Sequence, residues 1–293
     1  MMKRLLLKLL YLLNGTRLSY RFHLRYWYYP DVKVTADILN CMRPSRALRP
    51  EVTEVSPEKR ILVIAPHPDD EMIGPGGTLI KSRETGSEVN VVCLSDGETN
   101  KDLGKIRIKE SKHVSAKFGF EYYNLGMKVG ELQPDQFKKR SLGLIIQKIN
   151  PNIIFVPFIL DDNDDHRHSA ILLSETLKEL EQSNDIEIWA YQVYSSVPAN
   201  VIVPIDRVVK KKESAIKLYH SQMAIRDWSN YALGLNAYSA RLTPRSCSDK
   251  FVEAFFVLPV KEFTKLSDKY FSAIFFASIN HSAFIFELVN SKP

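Results

Sequence analysis

The stretch ILVIAPHPDDE at residues 61–71 decides how the rest of the chain is interpreted. Its first five residues are all apolar, which is typical of a parallel strand that is buried on both faces. The charged residues follow at once, and a glycine-rich turn leads from them to a predicted helix at residues 78–84. The stretch therefore predicts a strand, a loop and a helix, with polar side chains placed where the strand ends.

The same alternation of strands and helices continues along the chain. Further strands are predicted at 89–94, 122–125, 153–156 and 186–194, and further helices at 105–118, 136–149 and 166–180. Such a pattern favours an α/β fold with a Rossmann-like open, mostly parallel sheet and helices on both faces. Sheets of this kind bind ligands beyond the carboxyl ends of their strands. The loops that follow these strands are therefore the candidate functional regions.

Composition and cysteine usage are those of an ordinary globular protein. The 293 residues are 45% hydrophobic and 11% aromatic, which excludes a disordered or fibrous chain. Cys41, Cys93 and Cys247 are widely spaced and odd in number. This predicts neither a disulfide framework nor a cysteine-based zinc site, and it favours a reducing, cytoplasmic location.

The positive charge is concentrated at the beginning of the chain. The net charge is +6, yet residues 1–50 contain ten Lys or Arg against two acids. We predict three regions: a basic, aromatic arm and linker at 1–57, the main domain at 58–260, and an apolar C-terminal extension packed on the domain at 261–293.

The arm has two main interpretations. Its apolar run at residues 5–13 is interrupted by Lys8 and lacks a cleavage site, unlike a signal peptide, and it is shorter than the about 20 residues that span a bilayer. It either lies as an amphipathic segment on an anionic membrane, at the inner face, or packs on the domain. A nucleic-acid partner is not expected, because no nucleic-acid-binding motif accompanies the basic residues.

A histidine and three acids crowd the loop after the first strand: His67, Asp69, Asp70 and Glu71. Like charges this close repel one another unless a cation or a proton compensates them. A solvated acidic turn with a helix-capping aspartate is the simplest explanation, but the buried strand and the histidine favour a metal site. His67 and Asp70 supply one nitrogen and one oxygen ligand, which suits zinc or iron(II).

A second polar cluster, DDNDDHRH at residues 161–168, follows the strand predicted at 153–156. One histidine of this cluster, with His67 and Asp70, would complete a site of two histidines and one carboxylate. Such a site leaves a position open for water, as catalytic zinc sites do. Asp69 would then be free to act as a base.

Several motifs together resemble one enzyme family. Residues 65–71 resemble the A-H-P-D-D-E signature of the LmbE-like (PIG-L) deacetylases, which hydrolyse N-acetylglucosaminyl groups and related amides. Residues 163–166 resemble the family's H-P-D-H motif, and residues 95–98 its T-D-G-E turn. Weaker agreements are Arg107 with Glu110, FG at 118–119 and YHSQ at 219–222. The resemblance covers residues 60–259 and implies the LmbE-like fold and N-deacetylase activity on an amino sugar.

The resemblance also implies roles for individual residues. Carried over by position, it implies that Asp69 is the general base. It also implies that His67, Asp70 and His166 are zinc ligands, with iron(II) as the alternative metal.

Two further residues of these motifs have less specific roles. Asp165 is interpreted as a catalytic-site acid that orients the imidazole of His67 or His166. Arg107 is interpreted as a substrate-binding residue that holds a hydroxyl or phosphate, the alternative being an exposed helical arginine paired with an acid.

Two departures from the family pattern bear on the substrate. Asn163 stands where the family has a histidine that stabilises the oxyanion, and an amide can donate a hydrogen bond there but carries no positive charge. Val129 stands where the family often has an aspartate that grips sugar hydroxyls. His168 is a further candidate donor, although a solvent-facing histidine at a helix start is the commoner case.

Three functions are compared. The first is a zinc N-deacetylase acting on an amino sugar of a glycolipid, a surface polysaccharide or a related glycan. The second is an amidase acting on another N-acylated small molecule, and the third is a non-catalytic relative that binds a glycan or a lipid. The complete ligand set and Asp69 favour catalysis, because a binding protein needs no base.

Overall fold

The computed structural model describes residues 50–180 and 186–269. The described residues from 50 to 264 belong to one compact unit, and within them the strands form a single sheet of eight. The strands are β1 (Glu51–Val52), β2 (Arg60–Ala65), β3 (Glu88–Ser95), β4 (Glu121–Met127), β5 (Ile153–Pro157), β6 (Glu187–Tyr191), β7 (Val201–Pro204) and β8 (Val252–Pro259).

The order of the strands across the sheet is β1-β7-β8-β6-β5-β2-β3-β4. All neighbouring pairs are parallel except the two that involve β8, which runs antiparallel to β6 and to β7. The sheet is therefore open and mixed, with a parallel majority. The predicted fold class is confirmed, and the antiparallel strand is an addition to it.

Helices connect most of the strands. They are α1 (Asp70–Ile73), α2 (Gly76–Glu84), α3 (Lys101–Phe118), α4 (Gln136–Ile149), α5 (Asp164–Glu179), α6 (Val209–Ile216), α7 (His220–Met223) and α8 (Trp228–Ser239), with a short 3-10 helix at Ala240–Leu242. Residues 260–269 are also helical. The predicted helices correspond to α2, α3, α4 and α5, whereas α1 and the helices beyond β7 have no counterpart in the prediction.

Local chemistry explains where the long helices begin and end. The side chain of Asn100 accepts hydrogen bonds from two backbone N–H groups at the start of α3, and Asp135 caps α4 in the same way. Gly119, with φ of 71°, ends α3 in the left-handed conformation that glycine adopts without strain.

Side chains of β2 contribute to cores on both faces of the sheet. Ile61 and Val63 pack in a cluster that includes Leu79 of α2. Leu62 and Ile64 are also completely buried and, because side chains alternate along a strand, they point to the opposite face, where α4 packs against β2. This two-sided burial explains why the strand is apolar throughout.

A buried ion pair ties the start of α2 to β8. The carboxylate of Glu253 accepts hydrogen bonds from the backbone N–H groups of Gly77 and Thr78, each at 2.7 Å. Lys212 Nζ donates to Glu253 at 2.6 Å and to the carbonyl of Gly74 at 2.9 Å. Removing one partner of such a pair typically costs about 3–5 kcal/mol, because the other charge stays buried.

Some predicted features fall outside the described residues. The first 49 residues of the arm, and most of the predicted C-terminal extension, belong to this group. β1 lies in the stretch predicted as a linker and pairs with β7. Within the described ranges no helix has both the length and the apolar character to cross a membrane. Cys93 and Cys247 are free thiols.

Candidate active site

Strand order brings the two predicted polar loops together. In the sheet, β2 lies between β5 and β3. After β2 the chain forms β3 and β4 on one side of it, and then crosses to form β5 on the other side. The loops that follow β2 and β5 therefore meet at the carboxyl edge of the sheet, where the strand order reverses. The first loop leads into α1 and the second into α5.

Three side chains from these loops converge on one point. Asp70 Oδ2 lies 3.2 Å from His67 Nδ1 and 3.3 Å from His166 Nε2. One ligand atom from each residue lies within 4.8 Å of the other two, and all three residues are buried. We refer to His67, Asp70 and His166 as the ligand trio.

The trio fits a divalent cation. His166 is completely buried, yet neither of its ring nitrogens makes a hydrogen bond of good geometry. Buried polar atoms rarely lack a partner, so this imidazole is placed for another kind of bond. Two imidazole nitrogens and one carboxylate oxygen are a donor set that zinc and iron(II) accept.

A separate carboxylate supports each histidine of the trio. His67 Nε2 lies 3.0 Å from Asp165 Oδ2, which also accepts a hydrogen bond from the N–H of Gly130 at 2.8 Å. His166 Nδ1 lies 3.1 Å from Asp161 Oδ1. A carboxylate behind a ligating imidazole fixes the orientation and tautomer of the ring.

The sequence analysis proposed Asp165 for this kind of support and overlooked Asp161. Asp161 Oδ2 also faces the backbone N–H groups of Tyr194 and Ser195, at 3.2 and 3.3 Å. The sequence contained one signal for this role, which is the spacing of Asp161. It lies five residues before the ligating histidine His166, in the same loop at the end of a strand, and can therefore reach the ring.

Asp69 has an unusual backbone conformation. It occupies the N-cap position of α1 with φ of 116°, and its side chain makes no capping hydrogen bond. A non-glycine residue in such a conformation costs about 1–3 kcal/mol and persists only where the surroundings impose it. The carboxylate is 6% exposed and lies beside the ligand trio without belonging to it.

Glu71 holds the backbone of Asp69 in place. Its Oε2 accepts a hydrogen bond from the Asp69 N–H at 3.0 Å. Its Oε1 accepts from Ser111 Oγ at 2.8 Å and from the hydroxyl of Tyr219. The sequence analysis gave Glu71 no role of its own, and its partners come from α3 and from the residue before α7.

Arg107 lies beneath the first loop, where it is 6% exposed. Its guanidinium donates to the carbonyl of Pro68 at 2.9 Å and approaches Asp69 Oδ1 at 3.4 Å. It also donates to the carbonyl of Gly97 and to Glu98. Of the alternative, an exposed helical arginine paired with an acid, the exposure is wrong, whereas the position on a helix and the pairing with acids are confirmed. The guanidinium thus contacts four protein oxygens.

Burial and the crowding of charges shift the pKa values in the site. Burial raises the pKa of Asp69 to about 8, Asp70 and Glu71 add to the rise, and Arg107 opposes it. Burial lowers the pKa of His166, but the neighbouring Asp70 and Asp161 outweigh it and raise the value to about 10. The two carboxylates thus favour the protonated imidazole, and a cation that binds the trio would compete with that proton.

Asn163 lies at the N-cap of α5. Its Oδ1 accepts hydrogen bonds from the N–H groups of Asp165 at 2.8 Å and His166 at 3.4 Å. The acceptor half of the amide is thus committed to the helix, whereas the NH2 half is the part that can serve an oxyanion. His168 and Val129 are both half-buried, and Val129 precedes the Gly130 that contacts Asp165.

The family model described as PIG-L: GlcNAc-PI de-N-acetylase matches residues 62–177. That range contains both polar loops and every residue of the ligand trio.

Two relatives and one solved structure are similar to parts of this chain. A diacetylchitobiose deacetylase of Thermococcus kodakarensis is 28% identical, over 58% of this chain and 72% of the relative. A probable N-acetyl-alpha-D-glucosaminyl L-malate deacetylase 2 of Bacillus cereus is 32% identical, over 34% of this chain and 53% of the relative. The solved N,N'-diacetylchitobiose deacetylase from Pyrococcus horikoshii superimposes with a TM-score of 0.59 and 25% identity, over 69% of this chain and 85% of that one.

Proposed function

We propose that the protein is a metal-dependent hydrolase that removes the N-acetyl group from an amino sugar, because residues 62–177, which contain both polar loops, match the PIG-L (LmbE-like) family model. The observation that carries the proposal is the placement of Asp69. Its carboxylate lies next to three metal-ligand candidates, neither ligates with them nor caps its helix, and is held there at a cost in backbone strain.

The ligand trio would hold the metal, and zinc or iron(II) suits its donors. A divalent cation bound there would polarise the acyl carbonyl and lower the pKa of water from 15.7 toward about 7. It would also favour the ionised carboxylate of Asp69, since a nearby positive charge lowers the pKa of an acid. With a cation held by the trio, Asp69 would be the base of the site.

Asp69 carries the proton through the reaction. Its carboxylate accepts a proton from the attacking water while the water oxygen bonds to the acyl carbon. Asn163 would donate an amide N–H to the carbonyl oxygen as that oxygen becomes negative. Asp69 then gives its proton to the nitrogen as the C–N bond breaks, and acetate and a free amine leave.

Several features support an amino-sugar substrate. The relatives compared here are named as deacetylases of diacetylchitobiose and of N-acetylglucosaminyl malate. Val129 and Asn163 depart from the family pattern, which favours a glycan, glycolipid or surface-polysaccharide intermediate over the family's ordinary monosaccharide substrates. An amidase for another N-acylated compound is the second candidate, since the chemistry at the amide would be the same.

Mass spectrometry of candidate N-acetylated glycans incubated with the zinc-loaded protein tests this function. We expect the loss of one acetyl group from at least one glycan, and no loss with Asp69→Asn as the matched control. Turnover of non-sugar amides alone would support the second candidate instead. Absence of turnover with both classes by metal-loaded protein would favour a binding role.

We further propose that residues 1–29 bring the enzyme to an anionic membrane surface. The support is their basic charge, their apolar run and the aromatic residues at 26–29. Each Lys or Arg near such a surface contributes about 1 kcal/mol, and salt screens the attraction. Full-length protein should sediment with anionic vesicles at low salt, whereas protein lacking residues 1–29 should not. Failure of the full-length protein to sediment would instead favour packing of the arm on the domain.

A further inference from the structure

A row of aromatic rings leads away from the ligand trio. Tyr194 stacks on His166, with ring centroids 5.3 Å apart and planes 25° from parallel. Trp228 meets Tyr194 edge to face at 5.7 Å, and Tyr231 follows Trp228 at 6.1 Å. Each step is comparable to the length of one sugar unit. The row thus connects the ligand trio with a more distant part of the surface.

These rings remain accessible to solvent. Tyr194 is 46% exposed and Tyr231 is 55% exposed, while Trp228 is half-buried. The exposed Arg226 lies over the two outer rings, with its guanidinium carbon 5.6 Å from the Trp228 centroid and 5.5 Å from the Tyr231 centroid. We refer to these four residues as the aromatic strip.

The strip combines apolar faces with hydrogen-bonding groups. Aromatic faces carry a partial negative charge, and they attract guanidinium groups and weakly positive C–H groups. A pyranose ring presents such C–H groups on its faces and hydroxyls around its edge. The phenol groups and Arg226 supply partners for those hydroxyls. An alkyl chain would use the ring faces but would form no hydrogen bonds with the phenol groups or the guanidinium.

The position of the strip relative to the amide is defined by Tyr194. Because this ring packs on a residue of the ligand trio, a sugar whose acetamide lies at the trio has Tyr194 at its border. The next unit of a glycan that extends in this direction meets Trp228 and Tyr231. A free monosaccharide would leave those two rings uncovered.

We propose that the aromatic strip binds the sugar units attached to the N-acetylated residue, so that the substrate is an oligosaccharide or a glycoconjugate. This inference rests on the proposed deacetylase function, which requires the acetamide group of the substrate to lie at the ligand trio. It assigns Trp228, Tyr231 and Arg226 to substrate selection, without a part in the chemical step.

Calorimetric binding to zinc-loaded Asp69→Asn protein tests the strip independently of turnover. The probes are N-acetylglucosamine, N,N'-diacetylchitobiose and the corresponding trisaccharide. We expect the longer sugars to bind about tenfold more tightly than the monosaccharide, as one or two aromatic contacts predict. Adding Tyr231→Ala should remove most of this gain. Because Tyr231 is exposed, its replacement should change the free energy of unfolding by no more than about 0.5 kcal/mol.

Tyr238→Ala is the matched control. Tyr238 lies on the same helix, is 60% exposed and stacks with Arg241 instead of with the strip. This variant should keep the gain in affinity. Equal affinity for all three sugars, or equal losses in both variants, would overturn the proposal.

Two further outcomes separate the strip from the proposed function. If Tyr231 makes the longer sugars bind more tightly but the wild-type protein deacetylates none of them, the proposed deacetylase function is wrong and the proposed sugar binding by the strip is supported. If an octyl glycoside of N-acetylglucosamine gains as much as the trisaccharide, and loses it in Tyr231→Ala, the strip binds an alkyl chain and the sugar proposal is wrong.

Discussion

Asp69 and Asn163 occupy equivalent places in two neighbouring loops and use them differently. Each stands at the N-cap of the helix that follows a parallel strand. Asn163 has an extended backbone, with φ of −89°, and its side chain caps α5 in the ordinary way. Asp69 adopts φ of 116° and its side chain caps nothing. Asp69 thus makes no capping hydrogen bond and has a strained backbone, which indicates that its side chain has a function other than capping.

The largest effect expected from this comparison concerns turnover. Asp69→Asn should lower kcat by about 10²–10⁴-fold, because an amide cannot accept the proton of the water. Its metal content should equal that of the wild type, since Asp69 is not in the ligand trio. His166→Ala is the contrasting variant and should lose the metal. Near wild-type turnover by Asp69→Asn would show that Asp69 is not the base.

The second effect separates the two halves of the Asn163 amide. Asn163→Ala removes both the cap and the NH2 donor, whereas Asn163→Ser keeps the cap and removes the donor. If the amide serves the oxyanion, both variants should lower kcat by up to about 10²–10³-fold with little change in KM. Only the alanine variant should also lose about 1 kcal/mol in the free energy of unfolding.

Steady-state kinetics and urea unfolding of the same two preparations provide the measurements. A kcat that falls in Asn163→Ala but not in Asn163→Ser would assign the loss to the cap. The oxyanion role would then pass to another donor, with His168 as the next candidate.

The third effect concerns the carboxylates behind the histidines. Asp161→Asn and Asp165→Asn should each weaken metal binding by about 10–100-fold, because an amide holds the imidazole less firmly and lowers its basicity. Competition with a chelator of known affinity measures the change. Asp162→Asn is the matched control, since Asp162 is exposed and adjacent to Asp161. Wild-type affinity in Asp161→Asn would show that its contact with His166 is incidental.

The smallest effect tests the backbone strain directly. Asp69→Gly should be more stable than Asp69→Ala by about 1 kcal/mol, because glycine adopts positive φ freely. At Asp164, the first residue of α5, the order should be reversed, since glycine is disfavoured within a helix. Thermal unfolding of the four variants without metal provides the comparison. An Asp69→Ala variant as stable as Asp69→Gly would mean that the conformation of Asp69 carries no strain.

The sequence predicted those parts of the fold that local patterns encode. The strands β2 to β6, and the helices α2 to α5 between them, follow from runs and periodicities that any short window contains. β7 and β8 were not predicted, because their place in the sheet depends on pairing between residues far apart, such as Val201 with Phe255. The antiparallel direction of β8 likewise has no local signal.

The same limit applies to the site. The ligand trio could be proposed because its members belong to two short motifs at the ends of strands. Glu71 could not be given its role, because its partners Ser111 and Tyr219 lie 40 and 148 residues away. The aromatic strip joins Tyr194 to residues of α8 that only the fold brings near it. Long-range geometry decided these two cases, whereas Asp161 lies only five residues before His166 and was overlooked because it precedes the recognised motif.

The carboxylate of Glu253 has a consequence for what this sheet can bind. In many open parallel sheets, a glycine-rich turn and the N-terminus of the next helix present backbone N–H groups to the pyrophosphate of a nucleotide. Here the turn contains Gly74, Gly76 and Gly77, but the N–H groups of Gly77 and Thr78 already bind Glu253, whose charge Lys212 balances. The protein thus carries its own anion at that position, which leaves the carboxyl edge of the sheet to chemistry that needs no nucleotide.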